Sequence, residues 1–156
     1  MNDGSLTTLL AQYRSGLEAQ MVLLRRLQIA STKQHEAAVA QDFELLHRAA
    51  DERDGLMTGL VTIENQIREA RAMLKKRRKE AQALPGYREA VELHSEALKL
   101  SQAILKTDDE ATAALQQAEL VRRAAAKAVE QGETTLSAYR RVMTGPGGAK
   151  LVDRHG

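Results

Sequence analysis

Apolar positions recur along this chain in alternating steps of three and four residues, the spacing that stacks side chains on one face of an α-helix. The first run reads Leu6, Leu10, Tyr13, Leu17, Gln20, Leu24 and Leu27, with Leu9 and Met21 widening the stripe and Ser5 as the N-cap candidate. It fades after Ile29, through Ser31, Thr32 and Lys33, so the helix is predicted to end by about Ala40. Asp42 is the next cap candidate. From there a second seam runs Leu46, Ala49, Arg53, Leu56, Leu60, Ile63, Ile67, Ala70 and Leu74, which places a turn in 36–42 that no Gly or Pro marks. Pro85-Gly86 should break this second helix, since the residue before proline disfavours the helical region. The third seam is Tyr87, Val91, His94, Leu98, Ser101 and Leu105.

A fourth run, Ala111, Ala114, Ala118, Val121, Ala125, Ala128, Gly132, Thr135 and Tyr139, keeps the same steps but is made mostly of small residues. Its phase is offset from the third seam, because Leu105 and Ala111 are six apart and not seven. The offset coincides with Thr107-Asp108-Asp109-Glu110, which has the form of a capping box. Either a new helix starts there or one long helix is locally strained. Small side chains bury little apolar area, so this last helix gains less from packing than a Leu-rich one. A weakly anchored helix of this kind suits a surface that a partner completes. The pattern ends at Thr144-Gly145-Pro146-Gly147-Gly148.

The fold class expected is therefore all-α: an elongated antiparallel hairpin or bundle of three long helices, four if the last is interrupted, with coiled-coil packing. One helical domain should occupy 1–143, and a disordered Gly-rich tail 144–156. Composition agrees. Aromatic residues are 3% of the 156, too few for a compact α/β or β fold, and the chain has only two prolines. The 23 basic and 21 acidic residues leave a net charge of +2, too even a balance to point to nucleic acid. With no cysteine, disulfides and thiolate metal sites are excluded. The start, Met1-Asn2-Asp3-Gly4-Ser5, lacks a basic n-region, and no apolar run approaches the ~18 residues of a membrane span, so a cytoplasmic protein is expected.

Candidate chemistry is sparse. His35, His47, His94 and His155 include no pair at i, i+3 or i+4, so no helix face offers a paired metal site. His94 lies on a seam and reads as a packed residue. No nucleophile, base and orienting group can be assembled by spacing, so no catalytic residue, metal or cofactor is expected and the chain is not read as an enzyme. Lys75-Lys76-Arg77-Arg78-Lys79 is the one basic run. On a helix it forms a collar around all faces, without interleaved aromatics, and reads as a solvated helix end. Gly55 and Gly59 would permit a close helix approach.

Taken in order, several stretches resemble the FlgN-like flagellar export chaperones. They are the Leu-rich first helix from Leu6 to Leu27 with Glu18 and Leu24, then Asp42-Phe43-Glu44-Leu45-Leu46, then the charged and apolar stretch from Asp51 to Leu60. The last is the long C-terminal helix ending Leu136-Ser137-Ala138-Tyr139 before a tail ending Asp153-Arg154-His155-Gly156. Family members typically carry Tyr-Gly-x-x-Gly at that junction; here it is Tyr139-Arg140-Arg141, with glycine delayed to Gly145. The resemblance implies a cytoplasmic chaperone of flagellar type III secretion. Such a protein binds the C-terminal amphipathic helices of hook-associated proteins, keeps them unassembled and delivers them to the export gate or export ATPase. On that reading the client-binding residues are Leu115, Ala118, Val121, Ala125, Ala128 and Leu136. Tyr139 either packs at the bundle end or, as the resemblance implies, docks on the export gate. No nucleic acid or transmembrane segment is expected, and weak self-association is allowed. The alternatives are a FliT-like flagellar chaperone, a structural coiled-coil scaffold whose Ala seam is already buried in the free protein, and a nucleic-acid or membrane-surface binder using Lys75–Lys79.

Overall fold

The computed structural model describes residues 3–144 and is helical nearly throughout, with no strand among the described residues. The elements are α1 (Asp3–Ala40), α2 (Phe43–Lys76), the short α3 (Arg78–Gln82) and α4 (Tyr87–Thr144). The chain divides into two units, one up to Leu115 and one from Gln116. The tail from residue 145, expected to be disordered, lies outside the described residues.

The first unit is an antiparallel three-helix arrangement of α1, α2 and the part of α4 up to Leu115. Polar contacts between Tyr13 and Arg71, Gln20 and Glu64, and Gln34 and Arg53 set α1 and α2 running in opposite directions. Ala90 packs with Leu6, Leu10 and Leu17, while Ile104 packs with Leu24, Leu27 and Ala30, so α4 runs parallel to α1. The Leu-rich seam of α1 forms the core as expected: Leu6, Leu10, Tyr13, Leu17, Leu24 and Leu27 are buried, with Met21. From α2 come Ala49, Leu56, Ile67, Ala70 and Leu74. Gly16 sits where a Cβ would run into the Ile67 Cγ2 methyl, so its bare backbone lets α1 and α2 close together. At Gly59 a Cβ would stand 2.9 Å from Leu23 Cδ1, whereas at Gly55 it would meet nothing, so only Gly59 marks a close approach.

The turn between α1 and α2 falls within the expected interval. α1 ends with its Ala37 and Ala38 carbonyls accepting from Asp42 N–H at 2.9 Å and Gln41 N–H at 3.3 Å, the paired bonds of a Schellman end. Gln41 takes the left-handed position with φ 56, where glycine is the usual occupant. Asp42 then caps α2, its carboxylate accepting from Leu45 N–H at 3.1 Å. The strain at Gln41 gives a direct expectation: Gln41→Gly should raise stability by about 1 kcal/mol, the order of the cost of a left-handed L-residue, as read by urea unfolding.

Three expectations are corrected. α1 is already under way at Asp3, so Ser5 lies inside its first turn and does not cap it. α2 ends before Pro85: Arg77 leaves the helical region at φ −111, ψ 42, and α3 adds one short turn before Gly86 reverses the chain at φ 90. The basic run is thereby split across a helix end and is no collar on one helix. The third correction concerns α4. Its buried positions are Ala90, Ala97, Ile104 and Ala111, a strict seven-residue repeat, with Leu93 and Leu100 packed beside them. Of the expected seam, Val91, Leu98 and Leu105 are exposed and Tyr87, His94 and Ser101 are only half-buried. With the true seam there is no phase offset, because Ile104 and Ala111 are seven apart. α4 accordingly continues through Thr107–Glu110 without a new start: Thr107 Oγ1 donates back to the Ala103 carbonyl at 3.1 Å, and Asp108 faces α1 and α2.

Candidate functional site

Within the second unit, α4 presents a helix with two unlike faces. All its charged side chains, Glu119, Arg122, Arg123, Lys127, Glu130, Glu133, Arg140 and Arg141, fall on one arc at a helical 100° per residue. The opposite arc carries Ala118, Val121, Ala125, Ala128, Val129, Gly132, Leu136, Tyr139, Val142 and Met143, without a charge. From Leu120 to Thr144 every residue is exposed. Tyr139 is 62% accessible, Val129 62% and Leu136 57%. An apolar helix face of this length ordinarily lies against another element, since leaving it in water forfeits about 25 cal/mol for each Å² of apolar surface left unburied.

The expected client residues divide between the two units. Leu115 belongs to the first unit and is half-buried, and Ala118, in the second, is half-buried too. Val121, Ala125, Ala128 and Leu136 are exposed on the apolar arc, and so is Tyr139. Val129, Val142 and Met143 share the arc but fall outside the narrow seam followed in the sequence. The signal that finds them is the absence of charge across the whole arc.

A second feature lies in the first unit, in the groove between α2 and α4. Its central part, of about 380 Å³, is lined by Leu60, Val61, Glu64, His94, Leu98 and Ser101. This is where most of the expected third seam went: Val91, His94, Leu98 and Ser101 line the groove, while Tyr87 lines it and also packs against the core. Two ion pairs lie along it, one between α2 and α4 and one within α2. Asp108 of α4 accepts from both guanidinium nitrogens of Arg53, Nη2 at 2.8 Å, and from Ser31 Oγ of α1 at 2.6 Å. Arg53 Nη1 also donates to Gln34 Oε1 at 2.8 Å. Glu64 accepts from Arg71 and from Gln20 Nε2 at 2.9 Å, while Arg71 lies over the Tyr13 ring at 5.5 Å.

These pairs set the local electrostatics. The Arg53 hydrogen bonds hold the Asp108 carboxyl below the usual range against the opposing effect of burial, and the Arg71 hydrogen bonds do the same for Glu64. Burial, reinforced by the charge of Arg71, lowers the His94 pKa, so its imidazole is neutral near pH 7. The pairs are mutually satisfied and leave no buried side-chain polar atom without a partner among the described residues. They hold helices together and present no reactive group. Among the described residues no cluster of three or more metal-ligating side chains forms, and no helix is long and apolar enough to cross a membrane. Comparison with protein-family models, with curated proteins and with solved structures finds no match for this chain.

Proposed function

We propose that this chain is a helix-binding chaperone of the flagellar type III export type. It would hold the amphipathic C-terminal helix of a hook-associated protein on the apolar face of α4, in the cytoplasm and without catalysis. The observation that carries the reading is the uncharged arc from Val121 to Met143, exposed in the chain alone. A client helix that later packs inside a filament shows an apolar stripe before assembly, and a helix face lined with Ala and Gly lets such a stripe approach closely. The sequence resemblance to FlgN-like chaperones supplies the client class; exposure of the face supports the use of this helix. The same exposure counts against a self-contained coiled-coil scaffold, which requires the Ala seam to be covered within the chain. The break at Arg77 counts against a basic helical collar for nucleic acid or membrane.

Tyr139 stands on this face as the proposed docking group for the export gate. Tyr139→Ala should change unfolding free energy by less than about 1 kcal/mol, since no buried ring is removed. The variant should bind client and fail to support secretion of hook-associated proteins in flagellated cells. Normal secretion by a stable, client-binding variant would remove Tyr139 from the export step. The binding test is titration of the chain with the isolated client helix, compared with Ala125→Arg.

A further inference from the structure

In the first unit α4 carries two seams side by side. Ala90, Ala97, Ile104 and Ala111 go inward and meet α1 and α2. Tyr87, Val91, His94, Leu98, Ser101 and Leu105 keep steps of four and three along the groove, and Val91, Leu98 and Leu105 stay exposed there. Two adjacent seams are the mark of a helix with helical neighbours on both sides. The facing wall repeats the spacing. On α2, Met57, Val61, Glu64, Arg68, Arg71 and Lys75 follow the same steps, and Met57 and Val61 are again exposed.

The charge along these walls is uneven. Near Val61 and Leu98 the walls are apolar, and the one acid, Glu64, is taken up by Arg71 and Gln20. At the other end the groove continues in a cavity of about 340 Å³ floored by Leu10 and Tyr13 of α1. Arg71, Lys75 and Arg78 line that cavity, with Tyr87 and Val91 opposite and no acidic side chain in its walls. Lys75 and Arg78 make no ion pair among the described residues.

We propose that this groove holds a partner's amphipathic helix of about 19 residues, the span from Tyr87 to Leu105, apolar where it crosses Val61 and Leu98 and acidic where it passes Lys75 and Arg78. The occupant completes a four-helix bundle with α1, α2 and α4. Its heptad spacing follows from the two open seams, and its charge follows from the two unpaired cations: a basic helix would set like charges together there. Acidic residues favour the first turns of a helix, so the occupant starts at the cationic end and runs parallel to α4. This site lies in the first unit, apart from the arc from Val121 to Met143, and stands with or without the proposed function.

Fluorescence anisotropy of a labelled peptide of that length, titrated with the full chain, tests the site. The probe carries leucine at its heptad positions and glutamate in its first turns; a control carries lysine in place of each glutamate. The glutamate peptide should bind saturably and the lysine peptide at least about tenfold more weakly, with the preference inverted in the double variant Lys75→Glu, Arg78→Glu. Leu98→Glu, at an exposed position, should abolish binding with the helical circular dichroism unchanged. Ala125→Arg should bind as the unmodified chain does, which separates this site from the proposed client face. Absence of binding by the glutamate peptide, equal binding of the two peptides, or a loss in Ala125→Arg and not in Leu98→Glu overturns the proposal. Dodecanoate bound where the peptide is refused would make the groove a fatty-acid site. A dimer in sedimentation equilibrium that Leu98→Glu dissolves would make a second copy the occupant. Either result also overturns it.

Discussion

Leu17→Ala should lower the free energy of unfolding by about 3 kcal/mol, within the range for emptying a fully buried leucine site. Leu17 has no accessible surface and lies in the cluster that joins α1, α2, α3 and α4, with Ile67, Ala70, Leu74, Ala81 and Ala90 around it. Its fully buried α3 and α4 neighbours there, Ala81 and Ala90, are alanines with no side chain to swing into the vacated space, so a cavity should persist. Urea unfolding followed by circular dichroism reads the change as a shift of midpoint at constant slope. A loss below about 1 kcal/mol would mean that this end of the bundle is not packed as described.

The second large effect is expected at Asp108. Asp108→Ala should cost about 2 kcal/mol, because it removes the carboxylate partner of the Arg53 guanidinium and the acceptor of the buried Ser31 hydroxyl. The Arg53 and Asp108 side chains keep 20% and 24% of their surface in water, and this solvation places the cost below that of a fully buried pair. The same site makes stability depend on acid. Asp108 and Glu64 both have folded pKa values lowered by their arginines, against ordinary values of 3.8 and 4.5. Their contribution is thus complete above those ordinary values and is lost as pH falls below about 4 through the lowered folded values. Unfolding midpoints measured from pH 7 down to pH 2 should fall steeply in that window. Asp108→Asn should show a shallower acid limb, and an unchanged limb would show that the pair is not formed in solution.

The parts of this structure that could be read in the sequence are those where bulk and burial coincide. In α1 the apolar residues of the seam are also the buried ones, so the stripe from Leu6 to Leu27 located the core without knowledge of its partners. In α4 bulk and burial separate. Ala90 and Ala97 go inward where the helices approach closely, and the bulkier Val91 and Leu98 beside them are left at the groove edge. A reading that follows bulk lands one position off and then meets an artificial phase offset at Leu105. The Asp108 site shows a different obstacle. Arg53 falls on the expected second seam, but its partner lies 55 residues on, in a stretch that also satisfies the local pattern of a helix start. Local spacing cannot choose between the two; only tertiary packing can. The turn at Gln41 carried no glycine, so only the change of seam and the Asp42 cap marked it.

The candidate site was legible for a related reason. The Ala and Gly run in α4 looked too weak to anchor a helix on its own, and from Leu120 onward it is uncovered. The full width of the face, with Val129, Val142 and Met143, was missed because a three-and-four seam samples only the middle of a broad apolar arc.

The central claim is that this face holds a partner's amphipathic helix. Isothermal titration of the full chain with a synthetic peptide bearing the C-terminal helix of a hook-associated protein, from the same organism, tests it most directly. The account predicts saturable binding of one peptide per chain, with a negative heat-capacity change from apolar burial. Ala125→Arg should abolish that binding while the helical circular dichroism stays nearly unchanged, since arginine is a good helix former on an exposed position. No heat of binding to the unmodified chain, or equal binding by Ala125→Arg, would contradict it.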